Sequence, residues 1–217
     1  MFSHDTTQSH TSFVSYQLAE WATNLKYENL SEEAVQTAKR FLFDSTGCAL
    51  GGSQQHDVKI ALDHFEEMGG NRTCSVFASD FKTNPVDAAF LNALMIRAMD
   101  YNDIYWKADP AHPSDLISAP LAVCEMKNLT GRDLILGIII AYEIEMRLAE
   151  FGDPGVREYG WHHATISCIA SPIAAGRMLG LNAEQIQQAV GISASPSMCL
   201  GAVTAGKLTN MKNTVDP

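Results

Sequence analysis

Phe90–Pro120, FLNALMIRAMDYNDIYWKADPAHPSDLISAP, reads as a helix, an interruption and a helix again. Apolar residues through Leu91, Met95 and Ala98 recur at helical spacing. A polar segment follows, crowding two acids (Asp100, Asp103), an amide (Asn102), Tyr101, Tyr105, Trp106 and His112 together, and helical periodicity resumes after Pro113-Ser114. Titratable and aromatic groups on a loop held between two rigid helices are well placed for binding or catalysis. The plainer alternative is a solvated connection in which Ser114 caps a helix and His112 has no chemical role.

Outward from this stretch, helices follow one another in both directions. Towards the N-terminus, residues 1–11 are expected to fray, and Phe13, Leu18, Trp21, Ala22 and Leu25 mark a helix over 12–25. Ser31 is placed as an N-cap, with Glu32 and Glu33 in the first turn where the helix dipole favours them. Val35, Ala38, Leu42, Ser45 and Ala49 form its buried stripe, and Gly51-Gly52 ends it. A further helix spans about 58–68 and stops at Gly69-Gly70, and Thr73–Ala78 is the one convincing strand candidate. Asn84-Pro85 then opens the helix that leads into the central loop.

Towards the C-terminus, a helix is expected over 115–126, with Pro120 permitting a kink. Thr130-Gly131-Arg132-Asp133 starts a long core helix reaching about Phe151. Residues 152–163, GDPGVREYGWHH, form a second polar, turn-rich segment. A small-residue helix over 165–179 stops at Gly180, and Asn182-Ala183-Glu184-Gln185 reads as a capping box for one more helix, to about Ser193. The count comes to about ten helices with short connections, an all-α multi-helix bundle, with no repeat or heptad pattern.

Composition bounds the function. At 217 residues with 46% apolar side chains, the chain can bury one domain, or one domain and a fragment of a second. A net charge of -10 argues against a nucleic-acid surface, although a few converging cations can still hold a small anion. Cys48, Cys74, Cys124, Cys168 and Cys199 are odd in number and lack CxxC spacing, which speaks against a disulfide framework, a zinc knuckle or an iron–sulfur cluster. The apolar run Leu134–Tyr142 is too short to span a bilayer, and the polar N-terminus has no signal-peptide pattern. A soluble protein of a reducing cytoplasm is expected.

Three polar interruptions remain for chemistry: Asp100–His112, Trp161-His162-His163 and Gly206–Lys212. Each falls at a helix end, and helix ends of a bundle can converge on one cleft. Together they offer carboxylates, histidines and lysines, the groups needed to take a proton next to a carboxylate and help a hydroxyl leave. Metal binding is a rival use of the same residues, but the adjacent His162 and His163 do not readily share one ion, and HExxH is missing. Nor is there a G-x-S-x-G elbow or a glycine-rich nucleotide loop. Taken alone, Lys207 and Lys212 read as surface lysines.

At these residues the sequence resembles the MmgE/PrpD family, whose best-known members are 2-methylcitrate dehydratases and cis-aconitate decarboxylases. The likeness is carried by Phe43-Asp44-Ser45-Thr46-Gly47-Cys48-Ala49, by NALMIRAMDYNDIYWKADPAHPSD at 92–115, by Gly137–Glu143 with Gly160-Trp161-His162-His163-Ala164-Thr165, and by AGKLTNMK at 205–212. The second is the most specific, similar to a D-[FY]-[ND]-D-T loop followed by H-P-S. The resemblance implies a helical catalytic domain that uses neither metal nor cofactor. Asp100 and His112 match the family's catalytic Asp and His, and Lys212 its lysine. Either His162 or His163 matches the remaining histidine, with His163 preferred because Thr165 then also falls in place. Asp103, Lys207 and Arg97 are candidate substrate-binding residues.

The implied activity is that of a carbon–oxygen lyase, dehydrating 2-methylcitrate to 2-methyl-cis-aconitate in propionate catabolism. Decarboxylation or epimerisation of a related acid is the neighbouring possibility, and a non-catalytic helical subunit or relic the possibility from another class. Two departures from the family pattern stand out. Ile104 replaces a threonine, removing a hydroxyl. Family members also run to roughly twice this length, at ~100–200 residues per domain, with a C-terminal α/β lid. Residues 12–217 are therefore expected to form the helical domain without that lid. A homodimer, or a separate chain supplying the second domain, is the expected partner, together with a small carboxylic-acid substrate and neither nucleic acid nor membrane.

Overall fold

A computed structural model describes residues 13–204. Eight α-helices account for most of them: α1 (Val14–Asn24), α2 (Glu32–Gly52), α3 (His56–Met68), α4 (Pro85–Arg97), α5 (Ser118–Lys127), α6 (Gly131–Glu150), α7 (Ala164–Leu179) and α8 (Ala183–Ser197). The all-α expectation holds. Local chemistry sets most boundaries. The Ser31 hydroxyl accepts from Ala34 N at 3.1 Å, and Asn84 Oδ1 accepts from both Val86 N and Asp87 N at 3.0 Å, with Pro85 at the first helical position. Capping boxes at Thr130/Asp133 and Asn182/Gln185 open α6 and α8. Such side chains satisfy first-turn amides that have no intrahelical acceptor. Gly180, at φ 81°, closes α7 in the left-handed conformation that a glycine adopts without strain.

The differences from expectation are confined to short elements. The anticipated strand over 73–78 shrinks to β1 (Cys74–Ser75), paired antiparallel with β2 (Lys82–Thr83), Cys74 opposite Thr83. A second two-residue ribbon lies within the central polar loop, β3 (Tyr105–Trp106) against β4 (Pro110–Ala111). The helix expected over 115–126 is split into a 3-10 turn, Pro113–Leu116, followed by α5. Pro120 thus falls in the first turn of α5, where its missing N–H forfeits no intrahelical bond and no kink is required.

Helix α6 is the centre of the bundle because both of its faces are apolar. On one side Ile138 and Tyr142 join Leu91, Leu94, Met95 and Ile96 of α4, together with residues of α2 and α3. On the other, Ile140 and Ile144 pack with Ala19 and Ala22 of α1, Ile173 of α7 and Ile186 of α8. Of the stripe anticipated on α2, Val35, Ala38, Ser45 and Ala49 are buried and Leu42 is partly so. Close approach of α2 to α4 explains Gly52, where an added Cβ would lie 1.9 Å from the Met95 carbonyl oxygen. It does not explain Gly47, around which there is open space. No helix among the described residues is long and apolar enough to cross a membrane.

Candidate active site

The central loop leaves α4 through Asp100, a non-glycine residue at φ 51°. Its carboxylate is gripped by the guanidinium of Arg97 at the end of the same helix. Arg97 is itself only 1% exposed, and it also reaches Asn102 Oδ1 at 3.4 Å and Asp115 at 3.7 Å. Asn102 donates from Nδ2 to Ser114 Oγ at 2.8 Å and to Asp115 Oδ1 at 2.9 Å. These contacts fold the start of the loop onto the 3-10 turn that follows His112.

Asp103 is the next anchor. Its Oδ1 accepts from Ser114 N at 3.1 Å, and its Oδ2 accepts from the Tyr142 hydroxyl at 2.8 Å. Its backbone carbonyl lies 2.6 Å from His112 Nδ1. A carbonyl oxygen can only accept, so Nδ1 carries the proton and the lone pair of the neutral His112 ring resides on Nε2. Burial pushes the Asp103 carboxyl above its ordinary range, opposed by the hydrogen bonds from Ser114 and Tyr142. Burial also raises the Tyr142 phenol far beyond its usual range, with the Asp103 carboxylate adding to it, so Tyr142 stays a neutral donor.

The second polar loop is tied to the first by Asp109. Its buried carboxylate accepts from the backbone N–H groups of Val156 and of Arg157, the latter at 3.2 Å. Gly155, at φ 112°, lies so close that an added Cβ would stand 2.7 Å from Asp109 Oδ2. This loop delivers His162 and His163 to the start of α7, both buried. A chain segment after α8 closes on the same place: His162 N donates to the Cys199 carbonyl at 2.8 Å. The Thr165 hydroxyl donates to that carbonyl at 2.9 Å and accepts from Cys199 N at 3.0 Å.

The two loops bring three imidazoles together. The His112 and His163 ring centroids are 5.1 Å apart, and those of His162 and His163 are 4.0 Å apart. Adjacent imidazoles can take and give protons within one site, which proton removal coupled to loss of a leaving group requires. Beside the cluster, a groove of ≈ 610 Å³ opens among α4, α5, α7 and α8, with Asp115, Ser118 and Ser167 among its polar lining residues. Beneath it Glu145 of α6 is fully buried and accepts from the Ser167 hydroxyl at 2.7 Å. Among the described residues no group of three or more His, Cys, Asp or Glu side chains is arranged to hold a metal ion.

Of the residues expected from sequence, Asp100, Asp103, Arg97, His112, His162 and His163 therefore share one region. Lys207 and Lys212 lie outside the described residues. Arg97 and Asp103 hold loop groups with their polar atoms, and Ile104 is 53% exposed. Tyr142, Asp109 and Glu145 escaped the sequence reading. Tyr142 sits in an apolar run that reads as core, and Asp109 in a loop where a carboxylate is unremarkable. For Glu145 a sequence signal did exist, an acid on the apolar face of a long helix.

The arrangement defines a class: a helical protein whose loops converge on an acid–base cluster. The model of the MmgE/PrpD N-terminal domain matches residues 16–217, and the chain belongs to that family. It is 28% identical over 216 residues to a cis-aconitate decarboxylase-like protein of Aspergillus oryzae, covering 93% of this chain and 43% of that one. To the 2-methylcitrate dehydratase of Escherichia coli O157:H7 it is 30% identical over 183 residues, covering 78% of this chain and 37% of that one. To the human cis-aconitate decarboxylase it is 26% identical over 196 residues, covering 87% and 40%. The chain thus spans about two fifths of the length of these relatives.

Proposed function

We propose that the chain carries the acid–base machinery of a lyase acting on a small tricarboxylate, and that its reaction is dehydration of 2-methylcitrate to 2-methyl-cis-aconitate. The observation that carries this reading is the contact between His112 and His163, with His112 Nδ1 fixed on the Asp103 carbonyl. His112 Nε2 takes the proton from the carbon alpha to a carboxylate. The electron pair of that C–H bond becomes the new C=C bond as the C–O bond breaks. His163, protonated, gives its proton to the departing hydroxyl, which leaves as water. Proton return from His112 to His163 through solvent restores both rings. Lys207 and Lys212 are assigned to the substrate carboxylates, and Asp100 to orienting the cluster. Arg97 is assigned to the loop rather than to the substrate, because its guanidinium is engaged with Asp100, Asn102 and Asp115.

Decarboxylation of cis-aconitate is the second reading, supported by similarity to the human cis-aconitate decarboxylase at 26% identity and to a cis-aconitate decarboxylase-like protein of Aspergillus oryzae at 28%. There the C–C bond to a carboxylate breaks, carbon dioxide leaves, and a protonated histidine delivers the proton to carbon. One assay tests both. The 217-residue chain is incubated with 2-methylcitrate and, separately, with cis-aconitate, following the absorbance of the conjugated product and release of carbon dioxide. His112→Gln and His163→Gln are each expected to lower kcat by about 10²–10⁴-fold. A folded chain that consumes neither acid, or variants that retain full rate, would overturn the proposal.

A further inference from the structure

We propose that Tyr142 is a positioning residue for His112, acting from the central helix α6 through Asp103 to hold the imidazole in its Nδ1–H tautomer. The hydroxyl is the informative atom. Tyr142 is 6% exposed and stacks on Phe41 at 5.2 Å, a setting that a phenylalanine would fill equally well. A buried hydroxyl costs free energy unless it is hydrogen-bonded, and the bond made here is to Asp103 Oδ2 at 2.8 Å. Asp103 in turn is held at both ends. Its carboxylate takes Tyr142 and Ser114 N, and its carbonyl takes His112 Nδ1 at 2.6 Å. Tyr142 and Asp103 are 39 positions apart, so this contact references a loop residue to the central helix of the bundle.

Without the Tyr142 hydroxyl, Oδ2 of Asp103 loses the donor that holds it against α6. The side chain then turns away, the carbonyl at 103 turns with it, and His112 loses the acceptor that selects its tautomer. The catalytic consequence rests on the reading of His112 as the base; the effect on the ring itself does not.

The experiment records imidazole 15N shifts of the labelled 217-residue chain above the titration range of His112, whose signals are assigned by their loss in His112→Gln. The wild type is expected to show a protonated Nδ1 and a bare Nε2. In Tyr142→Phe, checked as folded by circular dichroism, the two shifts are expected to move towards each other as tautomers mix. Shifts like those of the wild type would overturn the proposal. Should Tyr142→Phe fail to fold, Asp103→Asn provides the same readout, since an amide cannot accept from both Tyr142 and Ser114 through two oxygens. Tautomer mixing supports the proposal there also, and unchanged shifts overturn it. With a substrate turned over, Tyr142→Phe is expected to lower kcat by about 10-fold to 100-fold at unchanged KM, and to add nothing in a His112→Gln background. Losses that multiply in that background would count against it. A chain inactive on both acids sinks the reaction assigned above while leaving the 15N result to decide this one.

Discussion

Arg97 shows how far a residue's role can depart from its chemical type. A cation beside a polar loop reads as an anchor for an anionic ligand, yet the guanidinium is buried and divides its donors among Asp100, Asn102 and Asp115. Guanidinium suits this task because its donors form a rigid planar fork, which lysine lacks. Removing one partner of a buried charge pair leaves the other uncompensated, at a cost of about 3–5 kcal/mol. Arg97→Met is therefore expected to lower stability by about that amount in urea denaturation. Arg97→Lys is expected to recover only part, because a single ammonium nitrogen cannot reproduce the separate nitrogens with which the guanidinium reaches its partners. An Arg97→Met variant of unchanged stability would mean that other donors such as Asn102, and not the arginine, balance Asp115.

At the scale of the element, the helix starts are where sequence chemistry is most direct. At the head of α6, Thr130 donates to Asp133 Oδ2 from its backbone N at 2.8 Å and from its hydroxyl at 2.6 Å. Those bonds hold the Asp133 carboxyl below its ordinary value of 3.8. A depressed folded-state pKa stabilises the protein fully above that ordinary value, and the contribution is lost as pH falls through the lowered one. Thr130→Ala is expected to cost about 1 kcal/mol near neutral pH, set by the loss of the cap. The gap between variant and wild type is expected to narrow as the solution is acidified below pH 3.8, which thermal melts across that range would measure. A gap that is constant with pH would locate the effect in helix propensity instead. Asp103 has the opposite sign. Burial raises its carboxyl, so its ionisation works against the folded state as pH rises through the raised value.

For the whole molecule, the decisive event is that two loops from distant parts of the chain are fastened to each other. Asp109 makes the fastening, a carboxylate of the first loop accepting backbone N–H groups of the second, with Gly155 leaving it room. Asp109→Ala strands those donors and is expected to cost about 1–3 kcal/mol. Its sharper consequence is geometric: the His112–His163 contact depends on both loops, so their mutual 15N or ring-proton coupling is expected to weaken more than the overall fold. Unchanged ring contacts in that variant would show that the Cys199 seam alone holds the second loop.

By itself the sequence determined where the helices lie, since caps, glycine stops and apolar spacing act over one or two turns and need no distant partner. It also marked both polar loops as the chemical part of the chain, through residue types that a helix interior would not tolerate. It placed the helix after His112 too early, because a 3-10 turn and an α-helix share nearly the same local signals. Only the tertiary structure decided which side chains meet. The packing of α4, α6 and α7 turns Arg97 inward, sets Tyr142 against Asp103 and puts His112 beside His163. The Tyr142–Asp103 and His112–His163 contacts join residues far apart in the chain, and they are fixed by how helix faces bury apolar area against one another rather than by any preference written at a single position.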